Sequence, residues 1–346
     1  MQNFGIGIVG CGNISDTHAE AIKNSRSSTL VAAHSRTEKK LNKFCKKYDI
    51  EGSASYEEFL NLPDLDMVAI CTPSGTHLDY GKLAAAAGKH VIVEKPIEIT
   101  VDRGKSLIET CEKNNVQLAV IFQNRFIDDV VEMKNFIDAG KVGKIVMASA
   151  SVKWFRDQKY YSNSNWRGTF ALDGGGAVIN QAIHTLDLLQ WMAGDIQSVS
   201  GYKGTLTHED MEAEDNAVAS LHFRNGALGT FTASTSIVPA QERNVEINGT
   251  KGTLQLEGDD FVKNMGNKKT SDSPKNSDES TGADSPLAGM TAELHRKQYD
   301  QILEAFSKNN EPIVSGKESL KSLAVVEALY QSAKENRSVD IDDFLN

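Results

Sequence analysis

The sequence predicts an α/β chain in two parts. The first is a set of βαβ units around a parallel sheet buried on both faces; the second is an α+β domain on a mainly antiparallel sheet. Three observations carry this. Short apolar runs alternate with helical patterns as far as about residue 121. Beyond Phe122 the strands lengthen and little helix separates them. Asn225-Gly226 and Asn248-Gly249 then supply hairpin signals between such strands. At 346 residues the chain has the length of two domains, which the change of rhythm places at 1–121 and 122–346.

Each element has its own reason. Phe4–Val9 is uniformly apolar or glycine and reads as a buried strand; Asp16–Asn24 has helical spacing. Leu30–His34 is a second strand, followed by a Lys-rich helix over Glu38–Tyr48, a short strand at Ser53–Ala54 and a short helix at Tyr56–Leu60. Met67–Cys71, His90–Glu94 and Gln117–Phe122 are further strands, separated by helices at Leu78–Ala87 and Val101–Asn114. A helix over Val130–Ala139 opens the second part. Strands follow at Ile145–Phe155, Val199–Leu206, Ala217–Phe223, Ala227–Ser234, Arg243–Ile247 and Gly252–Glu257. One long helix, Ala177–Met192, interrupts them, and helices at Glu293–Ser307 and Ser319–Asn336 close the chain. Residues 264–286 are rich in Ser, Asp, Asn, Lys and Gly, the composition of a mobile surface loop.

Composition excludes several classes. The 37 Lys and Arg against 47 Asp and Glu give a net charge of −10, which argues against nucleic acid or an anionic membrane as partner. No apolar run approaches the roughly 20 residues of a spanning helix. The start, Met1-Gln2-Asn3, has no basic and apolar leader, so a cytoplasmic protein is expected. Cys11, Cys45, Cys71 and Cys111 form no CxxC pair and read as buried or half-buried thiols, and no His/Cys spacing suits a metal.

Gly10-Cys11-Gly12-Asn13-Ile14-Ser15 follows the first strand and opens a helix. The first glycine permits the tight turn and the second lets the backbone approach a diphosphate. The helix start offers unpaired N–H groups at Asn13 and Ile14. Ser15 replaces the third glycine. The end of the second strand, His34-Ser35-Arg36-Thr37, carries no acid. A hydroxyl at Ser35 and a guanidinium at Arg36 suit a 2′-phosphate, so the reading leans to NADP, with NAD as the alternative.

Two constellations point to chemistry. Glu94-Lys95-Pro96 ends a buried strand, which aims Lys95 at the ligand edge of a parallel sheet, with Glu94 as an available ion-pair partner. Gly174-Gly175-Gly176 precede a helix on which Asn180, His184, Asp187 and Trp191 share a face; the glycines let the chain run close to a ligand. The pair suits oxidation of a secondary alcohol. His184 would take the hydroxyl proton and Lys95 would stabilise charge on the oxygen.

The motifs Gly10-Cys11-Gly12-Asn13-Ile14 with His18, Thr72-Pro73-Ser74-Gly75-Thr76-His77, Glu94-Lys95-Pro96 and Gly174 to Asp187 together resemble the glucose–fructose oxidoreductase/inositol dehydrogenase/rhizopine catabolism (Gfo/Idh/MocA) family. The resemblance implies an N-terminal Rossmann domain and a C-terminal α/β domain with an open-faced sheet used for homodimers or homotetramers. It also implies that Lys95 and His184 are catalytic and that Thr72, Pro73 and His77 lie along the cofactor, with Glu94 and Gln123 beside them. The alternative for His77 is a residue that merely opens the next helix.

A narrower resemblance rests on Gln123-Asn124-Arg125, Trp154-Phe155, Tyr160-Tyr161, Trp166 to Gly175 and Asn180-Gln181. These look like the subgroup that oxidises the 3-hydroxyl of UDP-N-acetylglucosaminuronate. Arg156, Tyr160, Tyr161, Asn165, Arg167, Asn180 and Gln181 would then contact a sugar, carboxylate or diphosphate. The same aromatic residues can instead only pack their loop, and Arg156 can pair with Asp157. Asn180 stands where inositol dehydrogenases commonly carry Asp, which leaves proton removal to His184 or Lys95. The leading reading is an NAD(P)-dependent oxidoreductase of a sugar or sugar nucleotide. An NAD-dependent glycosidase, an inositol or hexose dehydrogenase, and a non-enzymatic sugar sensor are the alternatives.

Overall fold

The computed structural model describes residues 3–265, 268–271 and 292–346. They divide into two compact units, 3–123 with 292–320 and 124–271 with 321–346.

In the first unit β1 (Phe4–Val9), β2 (Ser28–His34), β3 (Glu51–Ser53), β4 (Met67–Ile70), β5 (His90–Val93) and β6 (Leu118–Val120) form one sheet in the order β3-β2-β1-β4-β5-β6. Every pairing in it is parallel. β1, β4 and β6 are wholly buried, as continuous apolar runs require when helices cover both faces. The helix Ala292–Ser307, far away in sequence, returns to this unit. It buries His295, Gln298, Tyr299, Ile302, Leu303 and Phe306, the spacing of one helical face. Tyr299, Ile302 and Leu303 join Ile6, Ile8, Ile22 and Met67 in the core, and Gln298 donates to the Val120 carbonyl at 2.8 Å.

In the second unit β7 (Ile145–Lys153), β8 (Ile196–Gly204), β9 (Asn216–Phe223), β10 (Leu228–Ser234), β11 (Asn244–Gly249), β12 (Gly252–Glu257), β13 (Asp260–Met265), β14 (Lys268–Ser271) and β15 (Val339–Asp340) make a nine-stranded sheet. Its order is β14-β13-β12-β11-β7-β10-β9-β8-β15, antiparallel apart from β7 with β10. Both expected hairpins form. Gly226, at φ +85°, closes the turn between β9 and β10, and Gly249 pairs with Gly252 across the other. Of the loop expected at 264–286, residues 266–267 and 272–286 lie outside the described residues. Asn264, Met265 and Lys268–Ser271 pair as strands instead. The sheet is half open, as the alternating burial of β9 shows. Val146, Met147, Tyr202, Val218 and Leu228 are exposed, with Met147 opposite Leu228 and Tyr202 opposite Val218.

The helix expected at Ala177–Met192 is not one α-helix. Ala177–Ala182 forms a widened π-helical turn, and the α-helix runs over Ile183–Ala193. Two of the glycines before it make room for this chain's own backbone and side chains. A Cβ on Gly176 would stand 1.9 Å from the Glu214 carbonyl oxygen, and one on Gly175 would stand 2.1 Å from the Tyr330 hydroxyl. Glu214 fixes the turn: Val178 N–H and Tyr330 O–H both donate to its Oε1 at 2.9 Å. Lower on the helix, Asp187 accepts two bonds from Arg125 at 2.7 and 2.6 Å and one from Ser322 at 3.1 Å, all buried.

Two predictions follow from these anchors. Arg125→Met leaves Asp187 charged in the core and should cost about 3–5 kcal/mol, whereas adding Asp187→Leu should recover much of that loss. Urea unfolding of the four variants checks the coupling; additive costs would refute it. Burial raises the Glu214 carboxyl above its ordinary value of 4.5, against the lowering effect of its hydrogen bonds. A raised folded pKa stabilises fully below 4.5 and loses that contribution as pH rises through the folded value. Glu214→Gln should therefore gain stability relative to the parent chain as pH rises from 4.5 toward 8; a constant difference in urea midpoint would count against it.

Candidate active site

The sheet order of the first unit reverses between β1 and β4, so the loops after these strands diverge and leave a crevice at the carboxyl edge. Gly10 leaves β1 at φ +98°, where a Cβ would press on Thr72 Cγ2 at 2.9 Å. Gly12 precedes the helix Asn13–Asn24, whose start has no side-chain cap, and a Cβ on Gly12 would meet nothing within 4 Å. Ser15 is buried and donates to the Gly12 carbonyl at 2.6 Å. An open approach to uncapped N–H groups at Asn13 and Ile14 fits a dinucleotide diphosphate.

At the end of β2, His34 does not face outward. It is buried among Tyr56, Phe59 and Tyr80, with Nδ1 2.9 Å from the Ser53 carbonyl oxygen. Burial lowers its pKa against the raising effect of the Ser53 bond, and the nearby Arg36 charge lowers it further. Ser35 Oγ accepts from Thr37 N–H at 3.2 Å, and Arg36 is exposed.

His77 is wholly buried, with Nε2 3.0 Å from the Thr72 carbonyl oxygen and Nδ1 3.0 Å from that of Pro96. It thus ties together the turns after β4 and β5, which carry Thr72, Pro73 and Lys95. Glu98 reinforces the tie. It accepts Leu78 N–H at 3.0 Å and two bonds from Arg103 at 2.9 Å, while Arg103 donates to the Gly75 carbonyl at 3.0 Å. Lys95 is half-buried and joined to Pro96 by a cis peptide. Glu94 accepts the Lys95 backbone N–H at 3.1 Å and meets His18 Nε2 at 2.7 Å. Its carboxylate therefore faces inward to His18. Gln123 is buried in the short turn Gln123–Phe126, where the first unit ends.

The second unit gathers most of its candidates on the π-helical turn and the segment after β7. Arg156 is buried and donates to Gln181 at 3.0 Å and to the Phe155 carbonyl at 2.8 Å, so Gln181 takes the place foreseen for Asp157. Asp157 instead caps the short helix Gln158–Ser162. Gln181 donates to the Tyr160 hydroxyl at 2.8 Å, and Asn180 donates to Asp173 at 2.6 Å. The Arg167 guanidinium lies 4.3 Å from the Tyr160 ring centre, and its buried Nε has no hydrogen-bond partner among the described residues. Tyr161 packs inward, bonding Thr235 at 2.9 Å, and Asn165 is exposed. His184 is half-buried in the first turn of the α-helix Ile183–Ala193. Farther along that face, Asp187 and Trp191 are both engaged by Arg125, so the lower half of the polar stripe is an anchor.

The sequence motifs assign no role to Asp173, Glu98 or the inward partners of Glu94, His18 and His295. Asp173 orients Asn180 and also accepts Gly168 N–H at 2.9 Å. Its position just before three glycines was the one available signal.

Residues 4–122 match the family model described as the oxidoreductase family, NAD-binding Rossmann fold, and residues 134–341 match that family's C-terminal alpha/beta domain. The myo-inositol 2-dehydrogenase of Thermotoga maritima is 27% identical over 349 residues, which span 98% of this chain and 99% of the relative. The WlbA dehydrogenase of Bordetella pertussis, solved in complex with NADH and UDP-GlcNAcA, is 31% identical. It superposes with a TM-score of 0.85 over 98% of this chain and 99% of that one. This relative agrees with the narrower resemblance. No helix among the described residues is long and apolar enough to cross a membrane. With family models matching both halves, the chain belongs to the Gfo/Idh/MocA family and is an NAD(P)-dependent oxidoreductase acting on CH–OH groups.

Proposed function

We propose that the chain transfers a hydride between NAD(P) and a secondary hydroxyl or ketone of a sugar nucleotide bearing a carboxylate, of the UDP-N-acetylglucosaminuronate class, at the 3-position. The observation that carries the substrate class is the polar set of the second unit. Arg156 and Arg167 lie beside Tyr160, Gln181 and Asn180, and the Arg167 Nε is a buried donor without a partner. Such guanidinium groups suit a carboxylate or diphosphate. The bound ligand of the WlbA relative supports the same class.

The cofactor, when bound, accepts or donates the hydride. Gly10, Gly12, Asn13 and Ile14 would hold its diphosphate, and Ser35 and Arg36 its adenosine ribose. Ser35 and Arg36, with no acid beside them, favour NADP. Lys95 would hydrogen-bond the reacting oxygen and stabilise the negative charge that develops there. His184 would take the proton of the hydroxyl, since its ordinary pKa lies near neutrality. Asn180 has no acid–base role and is held by Asp173 as a substrate contact.

Lys95→Met and His184→Ala should each lower kcat by about 100-fold or more while NAD(P)H binding, followed by nicotinamide fluorescence, stays intact. Wild-type turnover in either variant would remove that residue from the chemistry. A panel of UDP-uronates, UDP-hexoses, free hexoses and inositols should give turnover chiefly with the UDP-uronates; preference for a free inositol would overturn the substrate class. Arg36→Ala should weaken NADPH about tenfold and leave NADH nearly unchanged. Tighter binding of NADH than NADPH by the parent chain would reverse the cofactor preference.

A further inference from the structure

Behind the backbone of Lys95, inside the first unit, three side chains from distant parts of the sequence converge. They are His18 from the helix Asn13–Asn24, Glu94 at the end of β5, and His295 from the helix Ala292–Ser307. One ligand atom from each lies within 4.8 Å of the other two. His18 Nε2 stands 2.7 Å from Glu94 Oε1, and His295 Nε2 stands 3.6 Å from the same oxygen. Both imidazoles are essentially inaccessible to solvent.

His295 is the informative member. Neither of its ring nitrogens has a hydrogen-bond partner among the described residues, although the residue is fully buried. At 3.6 Å its approach to Glu94 is electrostatic contact rather than a hydrogen bond. An unsatisfied buried polar group is destabilising, so two on one ring need a cause. A cation between the three donors would satisfy His295 and complement the carboxylate together.

We propose that His18, Glu94 and His295 form a binding site for a zinc-class transition-metal ion, with Nε2 of His18, a ring nitrogen of His295 and Oε1 of Glu94 as ligands. The donor set is apt: imidazole nitrogen with one carboxylate suits zinc and its neighbours, whereas magnesium and calcium prefer all-oxygen shells. The spacing is also apt. Ligands at about 2.0–2.2 Å from a tetrahedral zinc lie roughly 3.3–3.5 Å apart. The His295 distance to Glu94 Oε1, 3.6 Å, is close to that value, and an ion would replace the 2.7 Å hydrogen bond from His18 to the same oxygen. The outer contacts are those of a held site. His18 Nδ1 meets the Tyr299 hydroxyl at 2.7 Å, and Glu94 Oε2 accepts the Lys95 backbone N–H at 3.1 Å. Such second contacts orient the ligands of known metal centres.

The test uses the full chain, stripped with a chelator and desalted. Cobalt(II) titration should produce tetrahedral-type ligand-field bands that saturate at one equivalent and are displaced by zinc(II). Zinc content by mass spectrometry should then be one per chain, and X-ray absorption should show two imidazoles and an oxygen donor. His295→Phe, and independently His295→Gln, should lose at least about nine-tenths of this uptake, with circular dichroism reporting whether each variant folds. No uptake by the stripped parent chain overturns the proposal. So do an X-ray absorption spectrum without two imidazoles and undiminished uptake by a folded His295 variant. These readouts do not involve turnover, so the site stands or falls apart from the assignment of Lys95.

Discussion

Backbone groups released at the carboxyl edge of the parallel sheet must find partners, and this constraint organises the first unit. The chain leaves β1, β2, β4 and β5 along that edge and turns differently each time. The Gly10 N–H goes to the His34 carbonyl at 2.8 Å. The Thr72 and Pro96 carbonyls go to the two nitrogens of His77. The Leu78 and Ile99 N–H groups go to Glu98, at 3.0 and 2.7 Å. The Lys95 N–H goes to Glu94. Buried side chains thereby fix the loops that present Thr72, Pro73 and Lys95. The helix start at Gly12 is left without a side-chain cap.

The second unit uses acids in the same way. Asp215 accepts Leu206 and Thr207 N–H at 2.7 and 2.9 Å and meets His208 at 2.9 Å. Burial opposes ionisation of Asp215, but these bonds outweigh it and hold the carboxyl well below its usual range. Asp173, Asp187 and Glu214 likewise face backbone N–H groups, an arginine or a tyrosine inside the fold. The net charge of −10 is therefore a poor guide to the site. A part of the acid count is structural and buried, while Arg156 and Arg167 gather around Tyr160 on the second unit. Local geometry, rather than total charge, decides which ions a cleft takes.

Features set by local pattern were legible in the sequence. Continuous apolar runs placed β1, β4 and β5 to within a residue, since a strand buried on both faces admits little else. Asn-Gly pairs marked both hairpins, and at the first the turn takes Gly226 to positive φ, which glycine tolerates. Features set by long-range packing were not legible. The helix Ala292–Ser307 has an ordinary amphipathic pattern that fits either sheet, and only contact with Ile22 and Ile6 decides its unit. The spacing of Gly174, Gly175 and Gly176 announced close approach but not the approaching group, which is Glu214 and Tyr330. The π-helical turn shares its side-chain spacing with an α-helix over so short a stretch, and only the contacts of Glu214 distinguish the two. His18, Glu94 and His295 are too far apart in sequence for any spacing rule to join them.

The polar stripe on the long helix illustrates why residue type and face do not by themselves define a site. Asn180 and Gln181 lie in the widened turn, and His184 follows at the start of the regular helix. Asp187, one turn later, is consumed by a bidentate contact with Arg125, and Trp191 lies 5.0 Å from the same guanidinium. Irregular turns concentrate at functional positions because they re-aim a side chain without moving the helix axis. They persist only where the surrounding packing holds them, and here Glu214 grips one end and Arg125 the other. Loss of Asp187 would therefore release the helix that carries His184, although its carboxylate is buried in the core. An acid three residues after a histidine on one helix face would look catalytic in an activity screen alone. The unfolding free energy separates the two roles, because a group that acts on substrate leaves stability nearly untouched and a buried anchor does not.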